Sequence, residues 1–152
     1  MVNTYTQIHI HIVFVVKNRQ SLIEKNWKNE LYAYISGIIA NQGHKLLAIN
    51  GTEDHVHILI GMRPVQSLSG LVQDIKGDSS KWINQKKFLS SRFSWQESYA
   101  AFSYSKSHVH RIMAYIRNQE EHHRKNSFGK EYRNLLKKFG IDYDERFIFK
   151  SL

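Results

Sequence analysis

Lys45-Leu46-Leu47-Ala48-Ile49-Asn50-Gly51-Thr52-Glu53-Asp54-His55-Val56-His57-Ile58-Leu59-Ile60-Gly61-Met62 is the stretch on which the fold turns. Lys45 to Ile49 and His55 to Met62 read as two strands. Asn50-Gly51 between them opens a turn, so the pair is expected to form a hairpin. Upstream, Ile8, Ile10, Ile12, Phe14 and Val16 alternate with His9, His11, Val13 and Val15, the period of a strand with one face buried. Lys17-Asn18-Arg19-Gln20-Ser21 ends that strand. From Glu24 to Gln42, Trp27, Leu31, Ile35, Ile38 and Ile39 follow helical spacing, and Gly43 supplies a stop.

Downstream of the hairpin, Ser67 is expected to cap a second helix with Leu68, Leu71, Val72, Ile75 and Trp82 on one stripe. Asn84 to Arg92 reads as a loop and Trp95 to Tyr104 as a fourth strand. Ser107 is expected to cap a third helix running to about Lys125, with Val109, Ile112, Met113 and Ile116 as its apolar side. A short helix around Glu131 to Phe139 ends at Gly140, and Ile141 to Leu152 reads as an extended or packed tail. The order β-α-β-β-α-β followed by helices predicts an α+β fold. It is a ferredoxin-like split βαβ arrangement, with an antiparallel sheet, helices on one face and additional C-terminal helices. One proline (Pro64), no repeat and no visible linker keep residues 1–152 as one expected domain.

The chain has no cysteine, which excludes disulfides, thiolate zinc sites and cysteine nucleophiles. No run of about 18 apolar residues exists, so no membrane span is expected. Met1-Val2-Asn3-Thr4-Tyr5 lacks the basic start of a signal peptide, and a cytoplasmic protein is expected. Lys and Arg number 22 against 13 Asp and Glu, a formal charge of +9 that favours a polyanionic partner. From Lys76 to Arg92 five basic residues face one acid, Asp78. From Lys106 to Lys138 nine face three acids, Glu120, Glu121 and Glu131.

Two constellations carry chemistry. On a strand, side chains at i and i+2 share a face, so His55 and His57 project together while Val56, Ile58 and Ile60 bury on the other side. Two imidazoles on a rigid strand make half of a metal site. Ile8-His9-Ile10-His11-Ile12 repeats the pattern on the first strand, and spacing does not choose between the pairs. A histidine-triad hydrolase would want a third alternating histidine, and position 59 is Leu. On the third helix Tyr115 and Gln119, four apart, stack on one face, with Arg111 extending a polar stripe. A phenol there is either an amphipathic edge residue or a nucleophile able to form a phosphoester.

His55-Val56-His57 after an acidic turn, then Tyr115 with Gln119 on a late helix, resembles the single-tyrosine (Y1) HUH transposases. These are the IS200/IS605-type enzymes with their REP-associated tyrosine transposase relatives. The likeness also takes in Val15-Val16-Lys17-Asn18-Arg19, the stretch Leu46 to Ile60, and Tyr115-Ile116-Arg117-Asn118-Gln119. It implies that His55 and His57 bind a divalent metal, Mg²⁺ or Mn²⁺, with Gln119 as third ligand. It implies that Tyr115 attacks a phosphodiester of single-stranded DNA, giving a 5′-phosphotyrosine and a free 3′-OH. A 3′-OH then rejoins the strands. It further implies recognition of short hairpins at insertion-sequence ends by a homodimer with composite active sites. No catalytic role falls to His9, His11, His108, His110, His122 or His123.

Two neutral imidazoles and an amide form a nitrogen-rich set for Mg²⁺, which prefers oxygen, so Mn²⁺ is expected to substitute well. Lys17, Arg19, Lys76, Lys81, Lys86, Lys87, Arg111 and Arg117 are candidates for phosphate contacts. Trp95, Tyr99, Phe102 and Tyr104 are candidates for base stacking or, more simply, for core and interface packing. Three rivals share parts of this pattern. They are a non-catalytic, domesticated nucleic-acid-binding module on the same fold, an RNA-binding ferredoxin-like domain, and a rolling-circle initiator with the same chemistry.

Overall fold

The computed structural model describes residues 4–148. Met1, Val2 and Asn3, and residues 149–152 of the tail, lie outside the described residues. The chain runs β1 (His9–Val15), α1 (Lys25–Asn41), β2 (Lys45–Gly51), β3 (His55–Gly61), α2 (Leu68–Lys86) and β4 (Ala100–Tyr104). It continues through α3 (Val109–Arg117), α4 (Gln119–Lys125) and α5 (Phe128–Lys138). The sheet is antiparallel with strand order β2-β3-β1-β4, the split βαβ order the sequence predicts.

The period-2 alternation of β1 and β3 divides the core in two. Ile12, Phe14, Val16, Val56, Ile58 and Ile60 pack beneath α1 and α2 with Trp27, Leu31, Ile35 and Ile75. The opposite side, bearing His11, Val13, His55, His57 and Leu59, is covered by α3 and α5 through Ile112, Ile116, Phe128 and Tyr132. The C-terminal helices therefore close the face that the sequence alone leaves open, and every residue from Val56 to Ile60 is buried.

Six local expectations change. Asn50 and Gly51 stay in the ladder, opposite His57 and Val56, so the turn is made by residues 52–54. A Cβ on Gly51 would stand 2.0 Å from the His55 carbonyl oxygen, so glycine here permits strand approach rather than a turn. Second, the strand expected from Trp95 forms a ladder only from Ala100. Trp95 keeps one isolated bridge to Val16, and the carbonyls of Gln96, Glu97 and Ser98 turn aside to accept from the Lys76 ammonium.

Third, Asn84 and Gln85 lie inside α2, which ends at Lys86, and Lys87 takes a left-handed conformation (φ 58°). Fourth, Ser107 does not cap the third helix. It sits inside a 3-10 turn, Lys106–His108, its hydroxyl bonded to Ser105 and near His108 Nδ1. That helix also breaks at Asn118 (φ −96°, ψ 22°), a poor helix former, and restarts as α4. α5 begins at Phe128, three residues before the expected start, because the Ser127 hydroxyl accepts from the Lys130 amide.

Candidate active site

The hairpin places the first two functional side chains. His55 opens β3 and His57 follows on the same face, both fully buried, with ring centroids 5.1 Å apart. Asp54, in the turn, stands 2.8 Å from His55 Nδ1, and Thr52 Oγ1 lies 3.0 Å from the same atom. Burial would raise the Asp54 carboxyl, but the His55 bond and nearby charge, Arg19 included, hold it below the usual carboxylate range. A carboxylate on Nδ1 fixes the tautomer and turns His55 Nε2 inward as a lone-pair donor. Phe128 stacks on the His55 ring at 3.9 Å between centroids, which locks the ring plane.

β1 is the neighbour of β3, and its histidines separate. Val13 pairs with His57 and His11 with Leu59, so His11 is the diagonal neighbour of His57. His11 Nε2 lies 2.8 Å from His57 Nδ1, and it is fully buried. His9, opposite Gly61 and Tyr104, stands at the far end of the ladder. Burial, only partly opposed by Glu131, pushes His57 down to about 4, so its imidazole is neutral at physiological pH. Burial, with His57 adding to it, likewise lowers His11. His57 Nε2, on the other side of the ring, faces the site.

The helices bring the rest. The break at Asn118 lets Gln119 open α4 with its side chain turned inward, and it is fully buried. Its Oε1 lies 3.0 Å from His55 Nε2. Tyr115, half-buried on α3, presents its ring edge-on to His57 at 5.7 Å and donates its hydroxyl to Glu131 Oε2. Burial and the Glu131 charge raise Tyr115 well above an ordinary phenol, so the group here is a protonated phenol. His55, His57, Tyr115 and Gln119 thus meet within one chain.

Glu131 is the residue that sequence reasoning missed. It is 4 % exposed, and its Oε1 lies 3.0 Å from His57 Nε2 and 3.8 Å from His55 Nε2. Its Oε2 accepts from Tyr115 and, at 3.3 Å, from Gln119 Nε2. His123 and His122 approach the same carboxylate at 3.3 and 3.0 Å. Burial alone would raise this acid, but the hydrogen bonds from His123, His57 and Tyr115 hold it well below the usual range. One signal was available: Glu131 lies on the same helical stripe as Phe128, Tyr132 and Leu135, and an acid on an apolar stripe demands a partner. His55, His57 and Glu131 place ligand atoms within 4.8 Å of one another. Two imidazoles and a carboxylate suit a divalent first-row metal or Mg²⁺.

The basic candidates fall on both sides of the sheet. Lys17 and Arg19 occupy a 3-10 turn after β1, with the Arg19 guanidinium 5.9 Å above the Phe128 ring. Arg111 and Arg117 are exposed on α3. Arg111 and Lys138 flank a cleft of about 280 Å³ that reaches Tyr115 and Glu131, with Tyr104 and Asn134 on its wall. Lys76, Lys81, Lys86 and Lys87 belong to α2 and its end, under the other face. The Lys76 ammonium is engaged by three backbone carbonyls. Of the aromatics, Trp95 and Phe102 are buried in the core, whereas Tyr99 and Tyr104 are partly exposed.

Residues 4–119 match the family described as "Transposase IS200 like". The chain is 25% identical over 120 residues to the ISDra2 transposase TnpA of Deinococcus radiodurans, covering 76% of this chain and 86% of that protein. In three dimensions it resembles a solved chain from Deinococcus radiodurans R1 assigned as a transposase (TM-score 0.63, 23% identity, 78% of this chain and 96% of that one). It also resembles a REP-associated tyrosine transposase solved bound to a REP hairpin (TM-score 0.61, 14% identity, 81% and 73%). The matched span holds the His-x-His strand, the tyrosine and the glutamine. This chain belongs to the IS200-like transposase family.

Proposed function

We propose that this transposase cuts and rejoins single-stranded DNA at hairpin-flanked sites, with Tyr115 as the nucleophile. The observation that carries the reading is the meeting of the Tyr115 hydroxyl with the inward atoms of His55, His57 and Gln119 inside one buried site. His55, His57 and Gln119 would hold a divalent metal, Mg²⁺ or Mn²⁺. Such a cation neutralises charge on the non-bridging phosphate oxygens.

The chain's own residues do the remainder. The Tyr115 oxygen bonds to phosphorus as the phosphorus–O3′ bond breaks, and the departing 3′-oxygen takes up a proton while the phenolic proton leaves. The product is a 5′-phosphotyrosine and a 3′-OH. Attack by a 3′-OH reverses the step, so the bond energy is conserved in the linkage. Lys17, Arg19, Arg111 and Arg117, on the site's side of the sheet, are the better placed phosphate contacts. Lys76 and Lys81 lie on α2 beneath the opposite face. The solved REP hairpin complex of a structural neighbour supports a hairpin as the DNA form that is recognised.

In solution the chain is read as a cytoplasmic homodimer. β4 is an edge strand whose outer ladder is unpaired among the described residues, a surface open to pairing with a second copy. Because the site residues already meet in one chain, composite sites would arise by exchange of α3 between copies.

The test is incubation with single-stranded DNA from the flanks of the gene in Mn²⁺ or Mg²⁺, read by denaturing gel and mass spectrometry. A DNA adduct on the Tyr115 peptide, lost with EDTA and in Tyr115→Phe, is expected. Tight, salt-sensitive binding without an adduct would establish a non-catalytic binding module instead.

A further inference from the structure

We infer that Glu131 of α5 is a fourth protein ligand of the divalent metal, and that its second oxygen aims the Tyr115 hydroxyl at the site. The inference rests on the metal-dependent reading above and adds a residue that neither the family match nor the His-x-His motif supplies, since the match ends at residue 119.

The donor atoms lie at the separations that a ligand set needs. In an octahedron with bonds of about 2.1 Å, adjacent donors stand about 3 Å apart. His57 Nε2 and Glu131 Oε1 are 3.0 Å apart, and His55 Nε2 and Gln119 Oε1 are also 3.0 Å apart. His55 Nε2 to Glu131 Oε1 is 3.8 Å. All four side chains are buried.

Donor chemistry points the same way. With His55, His57 and Gln119 alone, the metal would receive two nitrogens and one neutral oxygen, a poor set for Mg²⁺. Glu131 adds the anionic oxygen that such a cation prefers. The two carboxylate oxygens divide the work. Oε1 faces the imidazoles of His55, His57 and His123, whereas Oε2 accepts from Tyr115 and from Gln119 Nε2 and lies 3.0 Å from His122 Nε2. One side chain therefore ties the nucleophile's position to the metal's.

The alternative is a packing residue, a buried acid that merely satisfies its histidine neighbours. The two roles order the variants oppositely. Glutamine keeps the shape of Glu131 and loses its charge, whereas aspartate keeps the charge on a shorter arm. MnCl₂ is titrated calorimetrically into the full chain, with melting temperature recorded in EDTA for every variant. The ligand role predicts that Glu131→Gln weakens Mn²⁺ binding at least about tenfold, and that Glu131→Asp binds more tightly than Glu131→Gln. Affinity in Glu131→Gln within about twofold of wild type, with His57→Ala unable to bind, overturns the inference and leaves the metal site standing. Mn²⁺ binding unchanged in His57→Ala overturns the metal reading itself and this inference with it. Should Glu131→Gln fail to fold, the wild-type infrared difference spectrum on Mn²⁺ addition decides. A shifted carboxylate band that disappears in Glu131→Asp or moves with it supports the ligand, and an unshifted spectrum overturns it.

Discussion

The two faces of one sheet are buried to the same degree and for different reasons. Under α1 and α2, Ile12, Phe14, Ile58 and Ile60 meet Leu31, Ile35 and Ile75, and burial needs no partner beyond close packing. Under α3 to α5 the same strands contribute His11, His55 and His57, also fully buried, and each must find a hydrogen-bond partner. The first face makes stability. The second holds a polar network whose members must satisfy one another.

That contrast is open to attack, and the sharpest blow falls on the polar face. Tyr115→Phe should remove the covalent DNA adduct completely while leaving the fold and hairpin affinity intact; surviving adduct in mass spectrometry would move the nucleophile elsewhere. His57→Ala should abolish metal-dependent cleavage yet leave hairpin binding within a few-fold, because phosphate contacts set affinity. A filter-binding titration of the folded variant that shows total loss would break the division between binding and chemistry.

On the apolar face the effect should invert. Leu31→Ala is expected to lower stability by about 2–5 kcal/mol in denaturant unfolding, with adduct formation per folded molecule unchanged. A loss of chemistry without loss of stability would mean that the faces are not separable. His11→Leu sits between these cases. Removing the hydrogen-bond partner behind His57 should weaken Mn²⁺ binding about 10–100-fold; unchanged affinity would make His11 a packing residue.

Acid provides the smallest test. Folded His57 remains neutral down to about pH 4, and His11 is lowered in the same direction, whereas histidine in the unfolded chain takes up its proton near 6.5. Between those values the unfolded chain binds more protons, so stability is full above about pH 6.5 and falls as pH drops toward 4. Melting temperature in EDTA should decline across that window. A flat profile would show that the histidines are not held neutral.

The sequence by itself determined the order of elements, the pairing of His55 with His57, and the identity of Tyr115 and Gln119 as companions, because periods of 2.0 and 3.6 are local properties. The position of Asn118 within the third helix did not announce a break. An asparagine there is weakly unfavourable, and the break is settled by the burial of Gln119 against His55. Spacing left the two histidine pairs of β1 and β3 equivalent; antiparallel register separated them, setting His11 against His57 and His9 beyond reach. Tertiary structure alone decided that Glu131 enters the site. Its partners lie 8 to 76 positions away in the chain, and only the packing of α5 across the sheet brings a carboxylate to imidazoles on β3. A buried charge is specified by what surrounds it, and that is a long-range property no window of sequence contains.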